Sequence, residues 1–362
     1  MTNLSNRTQL LKHLLAGALC FALLPRNPAH AEGLAALGAY GADLKQTSVS
    51  GLSSGAFMAV QFDVAFSSEL VGAGIIAGGP FYCAGLFAPT LPAVAAVTEC
   101  MSPLGDSGPL AADALAIARS FADKGKIDAL KGLARQRVYV FGGTMDKTVT
   151  QRVVDQTAQF FSQAGVAPAN LKYVSNLAAG HAILTNNPAD VPCAWSKDPY
   201  INNCGFLQSH DILKWIYGPL NPPSVTAGGR LLAFDQSRFD PQGKATLGPI
   251  GYAYVPNACT TKQCRVHVVF HGCHQGERRM GDRYARTTGY NELADTNNLI
   301  VLYPQVADSV RNPKGCWDFW GYTSQDDPRY PDFYSRKAPQ QAAVMQMVKR
   351  LGAARTSNRP TL

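Results

Sequence analysis

The feature that most limits what this chain can fold into is a series of short, nearly uninterrupted apolar runs, rich in β-branched residues, that close on turns. Residues 71–77 (VGAGIIA), 137–141 (RVYVF), 171–174, 265–270 (RVHVVF) and 300–303 are of this kind. A strand with one wet face alternates apolar and polar residues. A run that is apolar almost throughout is buried on both faces, which is the condition of a parallel sheet covered by helices on its two sides. Helical patterns follow several of these runs, at 56–67, about 151–164, about 284–296 and about 339–351. Residues 231–234 and 251–255 read as antiparallel strands at one side. The expected class is therefore α/β, with a mostly parallel central sheet flanked by helices.

Residues 1–31 stand apart and read as a signal peptide: Arg7 and Lys12, then an apolar run over 14–24, then Ala29-His30-Ala31 as a cleavage site. That run is too short to span a bilayer, and no later stretch reaches the roughly 20 apolar residues a transmembrane helix needs. Cys20 is preceded by Leu19 where an acylated cysteine would follow a small residue, so no lipid or membrane anchor is expected. The mature chain, 32–362, is expected to be one catalytic domain, because no Pro/Ser/Thr linker or internal repeat divides it. Removing Arg7, Lys12 and Arg26 lowers the formal net charge from +8 to +5. With no Lys/Arg cluster interleaved with aromatics, nucleic acid is not an expected partner.

Eight cysteines remain after the signal: Cys83, Cys100, Cys193, Cys204, Cys259, Cys264, Cys273 and Cys316. An even set in an exported chain reads as a disulfide framework. Eight cysteines allow 105 pairings. Local closure favours Cys83 with Cys100, Cys193 with Cys204 and Cys259 with Cys264, which leaves Cys273 and Cys316. No His/Cys cluster has zinc spacing, so no metal is expected.

Gly51-x-Ser53-x-Gly55, between a strand-like and a helix-like segment, is the pattern of a nucleophile elbow. The pattern also arises by chance in glycine-rich loops, and its placement is what gives it weight. Ser54 is the neighbouring candidate, but only Ser53 has glycine at both second positions. A serine hydroxyl needs a base, and the base an orienting carboxylate. In the α/β-hydrolase order the acid follows the serine and the histidine comes last. Asp146, in a Gly-Gly-Thr-x-Asp turn past a strand, and His181, in Ala-Ala-Gly-His-Ala past the next, fill those places. Asp146 would also suit a helix N-cap, and His181 a loop histidine bonded to backbone. His271-Gly272-Cys273 closes a buried strand in the manner of an oxyanion loop, so the amides of Ser54 and Cys273 are the expected oxyanion donors.

In an ordinary α/β-hydrolase the His-Gly strand precedes the serine, whereas here it lies far downstream. Moving everything from about Leu231 to the front restores the familiar order, so a circularly permuted α/β-hydrolase fold is expected. Three motifs, the residues 49–56 around the elbow, Val269-Phe270-His271-Gly272-Cys273-His274-Gln275, and Gly315-Cys316-Trp317-Asp318-Phe319-Trp320-Gly321, resemble those of the extracellular poly(3-hydroxybutyrate) depolymerases of the single-domain, circularly permuted type. The resemblance covers most of the mature chain. It implies a triad of Ser53, Asp146 and His181, oxyanion amides on Ser54 and Cys273, and a polyester crevice lined first by Trp317. Phe319, Trp320 and Tyr322 are the other candidates for that surface; the alternative for all four is core packing, with an alternating spacing that leaves some inside and some out. The resemblance implies a secreted monomer acting without a cofactor on solid polyester or its oligomers, with no separate substrate-binding domain. The competing expectations are another secreted esterase on the same scaffold, acting on feruloyl or acetyl esters or on synthetic polyesters, and a silent polymer-binding protein.

Overall fold

The computed structural model describes residues 33–324 and 328–355, so the expected signal peptide lies outside the described residues. In chain order the first half supplies β1 (Thr47–Leu52), α1 (Ser54–Ala65), β2 (Leu70–Ile76), α2 (Pro92–Thr98), α3 (Ala111–Asp123), β3 (Arg137–Phe141), α4 (Gln151–Gln163) and β4 (Leu171–Val174). A small outlying sheet follows, β5 (Ile183–Thr185), β6 (Val191–Pro192) and β7 (Ile201–Asn203), and then α5 (Gln208–Tyr217). The second half adds β8 (Arg230–Asp235), β9 (Ile250–Val255), β10 (Arg265–Phe270), α6 (Glu277–Met280), α7 (Arg283–Thr287), α8 (Tyr290–Thr296), β11 (Leu299–Tyr303) and α9 (Pro339–Gly352).

The main sheet runs β4-β3-β2-β1-β10-β11-β9-β8. From β4 through β11 every pairing is parallel, and β9 and β8 close one side antiparallel. Each half of the chain thus supplies four adjacent strands, and they meet at β1 and β10, where Gly51 pairs with Phe270. This is the α/β-hydrolase-like arrangement with its order rotated along the chain. Its two described ends lie together, since the Tyr40 N–H donates to the Leu351 carbonyl (3.0 Å) and that of Gly41 to Ala353 (2.9 Å). Adjacent surface ends are what make such a rotation physically tolerable.

The central parallel strands β1, β2, β3, β10 and β11 are buried along almost their whole length, and α1, α4 and α5 are among the helices that pack on the sheet. All twelve residues of α1 are buried, which explains why that helix has no polar face. Burial is costly at one position. Asp63, in the last turn of α1, is fully enclosed. Burial pushes its carboxyl up to about 8, and the Gln136 side chain and the Arg135 guanidinium offset only part of this. A native carboxyl that holds its proton more tightly than the unfolded chain contributes stability at low pH. That contribution is lost as pH rises from the ordinary carboxylate value through about 8. Asp63→Asn is therefore expected to flatten the fall in melting temperature between about pH 4 and about pH 8 and to be the more stable form near pH 9. A fall as steep as the wild type's would refute the assignment.

One local expectation needs correction, and one small sheet was not anticipated. The helix expected over about 284–296 is broken into α7 and α8 at Gly289, whose φ of 80° no helix accommodates. The Leu207 and Ser209 side chains press on it from α5 and the turn before it. The sheet β5–β7 has strands of two or three residues, too short to leave a period in the sequence. Four disulfides join Cys83–Cys100, Cys193–Cys204, Cys259–Cys264 and Cys273–Cys316, three of them across 17 residues or fewer. Among the described residues no helix is long and apolar enough to cross a membrane, and no group of three or more His, Cys, Asp or Glu is placed to hold a metal ion.

Candidate active site

The carboxyl ends of the parallel strands carry the chemistry. Ser53 follows β1, with φ 58° and ψ −124°, a conformation that L-residues rarely adopt and that the surrounding turn imposes. The turn closes so tightly that a Cβ at Gly51 would meet the Gly55 carbonyl oxygen at 2.2 Å. One at Gly55 would meet the Phe270 and His271 carbonyls at 2.3 and 2.4 Å. Both flanks must be glycine, and the second contact packs the elbow directly onto the end of β10. A Cβ at Gly272 would lie 3.5 Å from the Ser53 Cβ, so the two strand ends touch.

Asp146 follows β3 and His181 follows β4, and both are buried. Asp146 Oδ1 accepts from the amides of Thr148 (2.7 Å) and Val149 (3.1 Å), and Oδ2 lies 2.7 Å from His181 Nδ1. The N-cap of α4 is Thr150, so Asp146 does not serve that role. An ionised carboxylate only accepts, so His181 Nδ1 carries the proton and Nε2 is left with a free lone pair. The His181 backbone N–H donates to Ser196 Oγ (2.8 Å), and the Tyr200 ring stands edge-on at 6.0 Å.

Ser53 and His181 line one cavity of about 430 Å³, together with Gly272 and Cys273. Ser53 Oγ makes no hydrogen bond among the described residues; contacts of this kind are commonly loose before substrate binds. The Ser54 and Cys273 amides have no acceptor among the described residues and are free to donate. The Ser54 side chain is buried, and its Oγ accepts from the Trp317 N–H at 3.2 Å. The arrangement can take a proton from Ser53, hold the resulting imidazolium against a carboxylate, and offer two amide donors to a developing oxyanion.

The aromatic residues fall differently from expectation. Trp317 is fully buried, edge-on to Phe270 at 4.9 Å and tilted against His271 at 5.7 Å. Tyr322 is also buried, its hydroxyl donating to the Cys316 carbonyl at 2.7 Å. Neither lines the cavity, whereas Trp320 and Phe319 do. The reason is Asp318, whose Oδ1 gathers the amides of Trp320, Gly321 and Tyr322 and whose Oδ2 takes the Thr323 amide and hydroxyl. The segment curls around that carboxylate, so an alternation of inside and outside does not apply.

Sequence reasoning missed the opposite wall, where Ala93, Ala96 and Val97 of α2 join Met101. It also missed Gln275, whose Oε1 accepts from the Gly272 N–H (2.7 Å) while its Nε2 donates to the Pro199 carbonyl (2.8 Å). The only signal for the wall was a short run of small apolar residues. His267 and His271 are outside the chemistry. Burial lowers them to about 3 and about 4, which keeps both neutral, and His267 is held between Ser48 Oγ (2.6 Å) and Ser50 Oγ (2.8 Å).

Comparison with known proteins gives a consistent set. No family model matches the chain. It is 39% identical to a poly(3-hydroxybutyrate) depolymerase of Delftia acidovorans over 88% of this chain, and it spans 62% of that relative's length. It is 36% identical to a polyhydroxybutyrate depolymerase of Talaromyces funiculosus, over 79% of this chain and 85% of the relative. Among solved structures, the PHB depolymerase from Penicillium funiculosum superposes with a TM-score of 0.76 at 33% identity, covering 88% of this chain and 98% of that one. A PHB depolymerase with a serine-to-alanine change, complexed with an R3HB trimer, matches with the same score and coverage at 32% identity.

Proposed function

The chain belongs to the family of polyhydroxybutyrate depolymerases, and from that premise we propose that it hydrolyses the ester bonds of poly(3-hydroxybutyrate) through an acyl-enzyme on Ser53. The observation that carries this reading is the meeting of Ser53, His181 and Cys273 at one cavity, with Asp146 bound behind His181 at 2.7 Å and the Ser54 amide next in chain to Ser53. His181 Nε2 takes the Ser53 hydroxyl proton as Oγ bonds to the ester carbonyl carbon, and the carbonyl electrons move onto oxygen beside the Ser54 and Cys273 amides. Asp146 stabilises the imidazolium. The tetrahedral species collapses, the carbon–alkoxide bond breaks, and the leaving hydroxyl end receives its proton from His181. Water then repeats the sequence. His181 takes one of its protons, the acyl–Oγ bond breaks, Ser53 regains its proton, and a carboxylic acid is released that ionises in solution.

The surface around the cavity suits a solid apolar substrate. Leu91, Val94 and Val97, at and along α2, are all about half exposed or more; Met145 is exposed next to Asp146, and Trp195 is exposed next to Ser196, whose Oγ accepts from the His181 N–H. Exposed apolar residues grouped at a cleft mark a contact surface, and Trp320 takes the crevice role first expected of Trp317. We read residues 32–362 as a single catalytic domain of an exported monomer that meets the polymer with this face. The four disulfides and the signal-like residues 1–31 support export.

A clearing assay on poly(3-hydroxybutyrate) granules, run beside soluble feruloyl and acetyl esters, tests the reading. The expected result is a halo with release of 3-hydroxybutyrate or its short oligomers, and much slower turnover of the other esters. Efficient feruloyl or acetyl release without a halo would move the chain to another esterase activity, and failure to react with a fluorophosphonate would remove the serine mechanism altogether.

A further inference from the structure

An oxyanion hole works only if both donors aim at one point, and the tolerance is a fraction of an ångström. Here the donors come from opposite halves of the chain. The Ser54 amide opens α1, after β1. The Cys273 amide lies in an irregular turn after β10, beyond the last ladder hydrogen bonds. Helix geometry fixes the first, and no regular structure fixes the second.

We propose that Cys316 and Trp317 form a strap that sets the separation of the two oxyanion donors, with the Trp317 N–H and Ser54 Oγ as its positioning pair. This rests on the hydrolase reading above. Cys316 is tied covalently to Cys273, and Trp317 donates its backbone N–H to Ser54 Oγ at 3.2 Å. Two consecutive residues therefore hold both donor residues.

The strap is itself immobilised. The Cys316 amide donates to Asn312 Oδ1 (2.9 Å), and its carbonyl accepts from Asn312 Nδ2 (2.8 Å) and the Tyr322 hydroxyl (2.7 Å). The Trp317 indole presses on Phe270 and His271, the two residues that lead into the Gly272-Cys273 turn. A second link runs from the neighbouring turn, where the His274 N–H donates to the Lys314 carbonyl at 2.8 Å. The Ser54 hydroxyl thus has a use that is neither nucleophilic nor merely space-filling. It is a buried acceptor that couples the elbow to the strap. Donors held in this way need no reorganisation when charge develops, and misplacing one by about 1 Å can cost on the order of 10²-fold in rate.

The test compares wild type, Ser54→Ala and Cys316→Ala on p-nitrophenyl butyrate and against a trifluoromethyl ketone, whose tetrahedral adduct places an oxyanion in the hole. Both substitutions keep both amides. Each is expected to lower kcat about 10- to 100-fold with KM within about twofold, and to weaken the ketone's Ki by the same factor as kcat/KM. The double variant should lose less than the product of the two, because both act through one element. Ser54→Ala removes a single hydroxyl and decides the matter alone should Cys316→Ala fail to fold. The strap is overturned if Ser54→Ala keeps kcat within about twofold of wild type, or if activity falls only in step with melting temperature while the Ki holds. Wild type inert to every ester would instead sink the hydrolase reading, and the strap with it.

Discussion

Ser53→Ala is expected to lower ester hydrolysis by about 10⁴- to 10⁶-fold while leaving the melting temperature nearly unchanged. The size of the loss follows from the absence of a substitute. The neighbouring hydroxyl is no replacement, since Ser54 does not line the cavity and its Oγ is occupied by the Trp317 N–H. The small effect on stability follows from the backbone. The strained φ of 58° at this position is imposed by the Gly51 and Gly55 contacts and by the Ser53 N–H donating to the Ile76 carbonyl (2.9 Å), and alanine keeps all of these. Only an Oγ without a hydrogen bond is lost. Adsorption to polymer granules should persist in this variant, because the exposed apolar residues around the cleft are untouched. A Ser53→Ala protein that still turned over soluble esters, with Ser54→Ala inert, would transfer the nucleophile to Ser54.

Trp317→Ala is expected to destabilise the protein by about 3 to 5 kcal/mol, measured by denaturant unfolding, and to lower activity on polymer and on a short soluble ester by a similar factor. Trp317 is among the largest side chains with no exposed surface, and its removal leaves a cavity between β10 and the turn that carries Cys273. Trp317→Phe should recover most of the loss, since the indole N–H has no hydrogen-bond partner among the described residues. A crevice residue would behave in the opposite way, with stability held and solid polymer affected far more than the small ester. That selective pattern is expected of Trp320→Ala, whose ring faces the cavity. If Trp317→Ala displayed it, the buried placement of Trp317 would be wrong.

These two tryptophans, three residues apart, mark the limit of what could be read from the chain alone. The parallel strands were legible because burial on both faces forces a continuous apolar run, as in residues 265–270, and β10 begins and ends where that run does. The elbow was legible because its sterics are local, acting between Gly51 and Gly55. Rotation of strand order was legible because the His-Gly turn and the elbow are each recognisable where they stand. Three of the disulfides close over 5 to 17 residues, so proximity along the chain already favoured them.

Longer-range features left no local trace. Whether α1 would have a wet face depended on what packs over it, including α9, where Gln341 Nε2 reaches Met58 Sδ at 3.6 Å, and packing among distant segments, with Gln136 and Arg135 nearby, is what makes Asp63 a buried acid. The facing of Trp317, Trp320 and Tyr322 depended on a carboxylate at Asp318 collecting backbone amides, which abolishes any period along the segment. The bond from Trp317 to Ser54 joins residues 263 positions apart. The sequence by itself determined the class of fold, the turn that presents Ser53 and the residues offered to it as acid and base, because each is set by the sterics or hydrophobicity of a few neighbouring residues. Tertiary structure alone decided which aromatic faces the crevice, which acid is stranded in the core and what ties the two oxyanion donors together, because each depends on surfaces that exist only after distant strands have met.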